Sequence, residues 1–136
     1  MFRLLILAAI VLVGAPPASA DRYSDCAQSA DPDRRIRGCT RIIKRGKRES
    51  RKKRSIAYNN RGVAYYNKGQ TDRAITDYGK AIEINPRFAM AYNNRGNAYE
   101  KKKLRDQAIA DYRAALEINP SSEWMRKALK RLGVEP

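Results

Sequence analysis

Ser55–Phe88 reads SIAYNNRGVAYYNKGQTDRAITDYGKAIEINPRF, and Ala89–Ser122 reads AMAYNNRGNAYEKKKLRDQAIADYRAALEINPSS. Nineteen of the 34 positions are identical between the two stretches. The identities come in blocks. AYNNRG at Ala57–Gly62 returns at Ala91–Gly96, Ala-Ile-x-Asp-Tyr at Ala74–Tyr78 returns at Ala108–Tyr112, and Glu-Ile-Asn-Pro at Glu83–Pro86 returns at Glu117–Pro120. A supersecondary unit repeated at this period buries its apolar face by stacking on the next unit. Such an array presents a binding surface more readily than an active site.

The unit is helical. Tyr58, Arg61, Gly62 and Tyr65 fall at 0, 3, 4 and 7, one stripe of a helix, and Ala74, Ile75, Tyr78, Ala81 and Ile82 form a second stripe. Gly69-Gln70-Thr71 separates them, with Thr71 expected as the N-cap of the second helix. Asn85-Pro86 and Asn119-Pro120 read as a cap followed by proline in the first helical turn. Gly62, Ala74 and Ala81 are small where two helix backbones would meet.

Tyr58, Gly62, Tyr65, Ala74, Tyr78, Ala81 and Pro86 stand where the tetratricopeptide pattern places its residues, and Tyr92, Gly96, Tyr99, Ala108, Tyr112, Ala115 and Pro120 repeat the match. Ser55–Ser122 therefore resembles a tandem of tetratricopeptide repeats. Tyr replaces the usual Trp and Phe, and Arg61 and Arg95 stand where the pattern prefers Leu. Their recurrence beside Asp77 and Asp111 predicts a structural ion pair within each unit. The expected fold class is all-α, a short α-solenoid. Its parts are a partial helical repeat with a basic linker over 21–54, full repeats over 55–88 and 89–122, and a capping helix over 123–136. The cap is expected to bury Trp124, Ala128 and Leu132 and to end at Gly133.

Residues 1–20 read as a signal peptide. Arg3 precedes an apolar run from Leu4 to Val13, then Pro16-Pro17 and the small-x-small triplet Ala18-Ser19-Ala20. The run is shorter than the ~20 residues that a spanning helix needs, although an uncleaved anchor is the alternative. The expected location is the periplasm or the exterior, with no transmembrane segment in the mature chain. Loss of the leader removes Arg3 from a formal charge of +15, leaving +14.

Export gives the two cysteines a meaning. Asp33-Arg34-x-Ile36 aligns with Asp72-Arg73-x-Ile75, which places Cys39 opposite Tyr78 and Cys26 opposite Tyr65 on facing helices. Asp31-Pro32 would cap the second of those helices. A Cys26–Cys39 disulfide is expected, worth about 3 kcal/mol on the chain-entropy view, with two buried thiols as the alternative. Lys44, Arg45, Lys47, Arg48, Arg51, Lys52, Lys53 and Arg54 fill eight of eleven positions. They read either as a solvated loop or as a contact for an anionic envelope surface. Export argues against nucleic acid as partner.

Catalysis has little to work with. The chain has no His, which removes Ser-His-Asp and Cys-His chemistry and the commonest metal ligand. Gly46-Lys47 lacks the surroundings of a phosphate loop, and Glu83 and Glu117 are repeat equivalents near helix ends. No enzyme, cofactor or metal is expected. In tetratricopeptide arrays the first helices line a concave groove that holds an extended peptide, and the resemblance implies the same here. Ile56, Asn59, Asn60, Val63 and Asn67 would face it from the first unit, and Met90, Asn93, Asn94, Asn97 and Lys101 from the second. The paired asparagines resemble the amide ladder of some peptide-binding members, so alanine at Asn60 and Asn94 is expected to weaken binding and spare stability. Only Asn60 and Asn94 match part of the carboxylate clamp found in another subfamily, with Lys127 and Arg131 as further cations. The expected function is non-enzymatic binding of a protein or peptide in the cell envelope.

Overall fold

The computed structural model describes residues 18–136 as helices in sequence: α1 (Ala18–Gln28), α2 (Pro32–Lys44), a 3-10 turn (Gly46–Arg48), α3 (Arg51–Asn67), α4 (Thr71–Ile84), α5 (Ala89–Lys101), α6 (Arg105–Ile118) and α7 (Glu123–Arg131). Helices α1/α2, α3/α4 and α5/α6 form antiparallel hairpins, each stacked on the next, and α7 closes the array against α6. The all-α solenoid read from the repeat is the observed fold. Of the expected leader, residues 1–17 lie outside the described residues. Ala18–Ala20 begin α1, so cleavage after Ala20 would shorten that helix at its start.

Side-chain caps explain where α2, α3 and α7 begin, and the observed helix ends correct three expectations. Asp31 caps α2 through its side chain, which accepts from Asp33 N, with Pro32 in the first turn as expected. Ser50 and Ser122 cap α3 and α7 in the same way. Thr71 does not cap α4; it is the first helical residue, behind a Gln70 whose side chain makes no capping bond. Asn85 and Asn119 end α4 and α6 instead of starting the next helices. The prolines that follow them disfavour a helical backbone at the preceding residue, which stops the helix there. Asn85 Oδ1 then accepts from Arg87 N at 3.2 Å, tightening the turn. The turns after α3 and α5 each hold a left-handed residue: Gly69 at φ 76° in one unit, Lys103 at φ 60° in the next.

The α3/α4 and α5/α6 hairpins are each closed by a glycine facing a tyrosine. A Cβ on Gly62 would lie 2.6 Å from Tyr78 Cε1, and one on Gly96 would lie 2.7 Å from Tyr112 Cε1. Both rings are buried, and Ala64, Ala74, Ala81, Ala98, Ala108 and Ala115 are wholly excluded from solvent around them. Small residues bring the helices close, and the tyrosine fills the space left over. Burial pushes both phenol groups well above the ordinary tyrosine range.

The arginines that break the family pattern form the expected ion pairs. Arg61 Nε and Nη2 donate to the two oxygens of buried Asp77 at 2.7 and 2.8 Å, and Nη1 donates to Thr40 Oγ1 of the previous hairpin at 3.0 Å. Arg95 and Asp111 repeat the fork at 2.8 Å for both bonds. Tyrosine rings flank each guanidinium: Tyr58 and Tyr65 beside Arg61, Tyr92 and Tyr99 beside Arg95. The bonded aspartates hold both arginines above their ordinary pKa.

In the first hairpin, Cys26 and Cys39 form the expected disulfide between α1 and α2, and both are buried. A Cβ on Gly38 would come within 2.8 Å of Cys26 N, so the close approach that the bridge requires depends on that glycine. On α7, Ala128 and Leu129 pack with Ala108, Ile109 and Tyr112, Leu132 lies at the margin, and Met125 is buried toward α5. Trp124 is not part of that buried side. It stays 47% exposed, its ring edge-on to Tyr112 at 5.7 Å. Gly133 (φ 72°) ends the helix, with Val134 N donating to Leu129 O.

Candidate functional site

The first helices α3 and α5 lie side by side and carry the residues expected to line a groove. Stacking consumes part of that set. Asn59 is 2% exposed and faces the neighbouring helices, not the groove. Its Oδ1 accepts from Asn94 Nδ2 of the next unit at 2.9 Å, and its Nδ2 donates to Asn60 Oδ1 at 3.4 Å. Asn60 Nδ2 in turn donates to the Cys26 carbonyl of α1 at 3.3 Å. The amides thus tie α1 to α3 and α3 to α5. Asn94 reaches Asn59 instead of stacking over Asn60, so the ladder holds repeats together before it meets any ligand. A buried amide left without partners is costly, and this is the reason Asn recurs at a position where it is a poor helix former.

What remains free is a depression of about 90 Å³ lined by Val63, Tyr66, Tyr78, Asn94 and Asn97. Lys101 Nζ sits 4.6 Å from the centre of the Tyr66 ring at one side of it, and Asn67 is exposed nearby on α3. The two units differ here. Where the first offers Val63 and Tyr66, the second has Asn97 and Glu100. The Tyr112 hydroxyl lies 2.5 Å from Glu100 Oε1 and 2.7 Å from the Asn97 amide. The single hydroxyl proton thus has two acceptors, Glu100 Oε1 and Asn97 Oδ1. Arg131 Nη2 of α7 donates to the same Glu100 oxygen at 2.7 Å. That bond spends Arg131, and of the clamp cations only Lys127 is left exposed and unpaired. Asn93 is half-buried; its Oδ1 is fully shielded from solvent and accepts no hydrogen bond.

The basic tract is not a loop. Lys44 closes α2, Arg45–Ser50 make a tight turn around the 3-10 segment, and Arg51–Arg54 form the first turn of α3. Three of the eight cations are occupied within the chain, and a fourth, Arg54, is half-buried with its Nε shielded and unbonded. Arg45 Nε pairs with Glu49 Oε1 at 2.6 Å, Arg51 Nη2 donates to Ile84 O at 2.9 Å, and Lys53 Nζ lies 4.6 Å from the Tyr23 ring centre. Tyr23 OH donates to the other Glu49 oxygen at 2.7 Å and, with Arg45, lowers the pKa of that carboxyl. Lys44, Lys47, Arg48 and Lys52 stay exposed, without an acidic partner among the described residues. No cluster of three metal-ligating side chains occurs among the described residues, and none of their helices is long and apolar enough to cross a membrane.

Tyr66, Glu100 and Trp124 belong to this face, and a reading guided by the asparagines alone missed them. The signal was present in the spacing: Tyr66 and Glu100 are repeat equivalents, as are Met90 and Trp124.

The family profile described as TPR repeat matches residues 62–103, and that described as tetratricopeptide repeat matches 89–122. No curated protein matches the chain in sequence. Among solved structures, the Arabidopsis OM64 TPR domain is 26% identical with a TM-score of 0.74, covering 85% of this chain and 94% of that one. The first TPR of Spaghetti (RPAP3), bound to the HSP90 peptide SRMEEVD, is 22% identical with a TM-score of 0.67, covering 75% and 77%. The second TPR domain of human RPAP3, in complex with the HSP70 peptide SGPTIEEVD, is 20% identical with a TM-score of 0.71, covering 86% and 93%. Matched repeats over the central units and a shared fold over most of the chain agree with the doubled residue pattern: residues 62–122 of this all-α chain are tetratricopeptide repeats.

Proposed function

We propose that the chain is an exported, non-enzymatic module that binds an extended segment of a partner protein on the face of α3 and α5, flanked by α1 and α7. The observation that carries this reading is the mixed apolar and amide depression between Val63, Tyr66, Asn94 and Asn97, left open after the ladder has used its own bonds. Amides and a phenol beside apolar walls suit a peptide backbone and its side chains together. Two solved structures of the same fold hold short peptides, which supports the mode of binding but not the identity of the ligand. The leader sequence and the disulfide favour action in the periplasm or outside the cell.

A photo-crosslinker at Asn97, compared with one at exposed Gln107 on α6, tests the site. The same partner should crosslink in the envelope from position 97 and not from 107. Equal labelling from both positions, or none from 97, would place binding elsewhere. Intact mass of the exported protein tests the leader: an oxidised chain beginning at Asp21 is expected, and a retained N-terminus refutes export by cleavage.

A second reading concerns Lys44, Lys47, Arg48 and Lys52, which project from an ordered turn without acidic partners. They suit attraction to an anionic envelope surface. Such attraction fades as the screening length falls to about 10 Å near 0.1 M salt. Neutralising the four should release the protein from envelope fractions at low salt, and unchanged partitioning refutes the reading.

A further inference from the structure

The large apolar side chains most exposed among the described residues are Ile56, Met90 and Trp124, at 37%, 59% and 47%. They are not scattered. Each lies 34 residues from the next, so all three occupy the same position of the repeat, and α7 stands as the first helix of an unfinished further unit. A row of exposed apolar side chains in register marks a contact surface.

The amide ladder ends beside this row. Asn59 Oδ1 is satisfied by Asn94 Nδ2 from the following unit. One unit later, Asn93 takes the place of Asn59, and the residue in the place of Asn94 is Ala128. Alanine has no donor, so Asn93 Oδ1 is buried and unbonded. Beside it lies a pocket of about 340 Å³ between α5 and α7, walled by Met90, Trp124 and Met125, with Asn119 at its edge. Tyr112 holds the Trp124 ring in place.

Resting on the peptide-binding reading above, we propose that this pocket is the subsite that selects the ligand. It takes one large apolar side chain of an extended peptide between Met90 and Trp124, on the open side of the rung that Ala128 closes. Exposed Lys101 on α5 and Lys127 on α7 have no acidic partner among the described residues, and they favour acidic residues flanking the apolar one.

Trp124 is the only tryptophan in the chain and reports on the site directly. The probe is a labelled nine-residue Gly/Ser/Glu peptide with a central Leu, compared with the same peptide carrying Ser there, on the exported protein with its disulfide intact. The Leu peptide should shift Trp124 emission to the blue and saturate. Its affinity should fall at least fivefold with Ser or with Met90→Ser, a substitution at an exposed position. Peptide anisotropy that rises without a Trp124 response or a Met90→Ser effect overturns the subsite and leaves groove binding standing. Absence of binding by every peptide also overturns the subsite, while crosslinking at Asn97 still decides the broader reading. A Trp124 shift that follows protein concentration alone names a second copy as occupant and overturns the proposal.

Discussion

Arg61→Leu restores the residue that the tetratricopeptide pattern prefers, yet it should be among the most damaging single changes in the chain. The Asp77 side chain is 6% exposed, and both its oxygens are bonded to the Arg61 guanidinium. Removing the cation leaves a buried carboxylate without its partner, which costs about 3–5 kcal/mol. In a domain of this size 1 kcal/mol corresponds to about 4 °C, so the midpoint should fall by roughly 12–20 °C. Removing both charges is a different perturbation. Arg61→Leu with Asp77→Ala should lie within about 1 kcal/mol of the parent, because apolar replacement of a buried pair is often neutral. Urea unfolding of the parent, both single variants and the double variant, followed by circular dichroism with the disulfide intact, closes the cycle. A coupling energy of at least about 2 kcal/mol is expected. Additive single effects would refute the reasoning and show that solvent reaches Asp77 when Arg61 is gone.

Gly96→Ala should destabilise by about 1–3 kcal/mol in the same assay, since the new methyl meets the fixed Tyr112 ring at 2.7 Å. Gly79→Ala, whose Cβ would meet only Arg95 Nη1 at 3.7 Å, should instead stabilise by up to about 1 kcal/mol through helix propensity. Lys103→Gly should stabilise by about 0.5–1 kcal/mol, because Lys103 holds the left-handed conformation that Gly69 holds in the preceding unit; no gain in midpoint would show that Lys103 carries no strain. Alanine at Asn60 and Asn94 together should lower stability by about 1–3 kcal/mol, contrary to the expectation from sequence, because both amides bond across helices; unchanged stability would return them to the groove alone.

The period of 34 made the fold legible, and so did the two partnerships that recur within it. Gly62 with Tyr78 and Arg61 with Asp77 each return one unit later, and a pair repeated in register is a contact repeated in space. Cap positions were less legible. An Asn-Pro pair suits the start of a helix or its end, and only the helix that precedes Pro86 decides between them. The site was read least well. A helical projection of one unit puts Asn59 outside the packing stripe, because it shows what that unit buries within itself. The contacts with α1 and α5 that bury Asn59 belong to the stack.

The same stacking logic locates the free valence of the array. An interior unit satisfies Asn59 of its first helix through Asn94 of the next unit, so its groove face offers a ligand only what remains. At the last full unit the next helix is α7, which keeps the register of the repeat but presents Ala128 to the core and Trp124 to the groove. A cap that needed only to solubilise the end of the stack would place polar residues at both the position of Trp124 and that of Lys127. It would also supply a donor to Asn93 or remove the amide. The chain does neither. An exposed aromatic wall at one rung imposes a cost in solubility that the fold itself does not require, and a bound segment with an apolar side chain there would remove it.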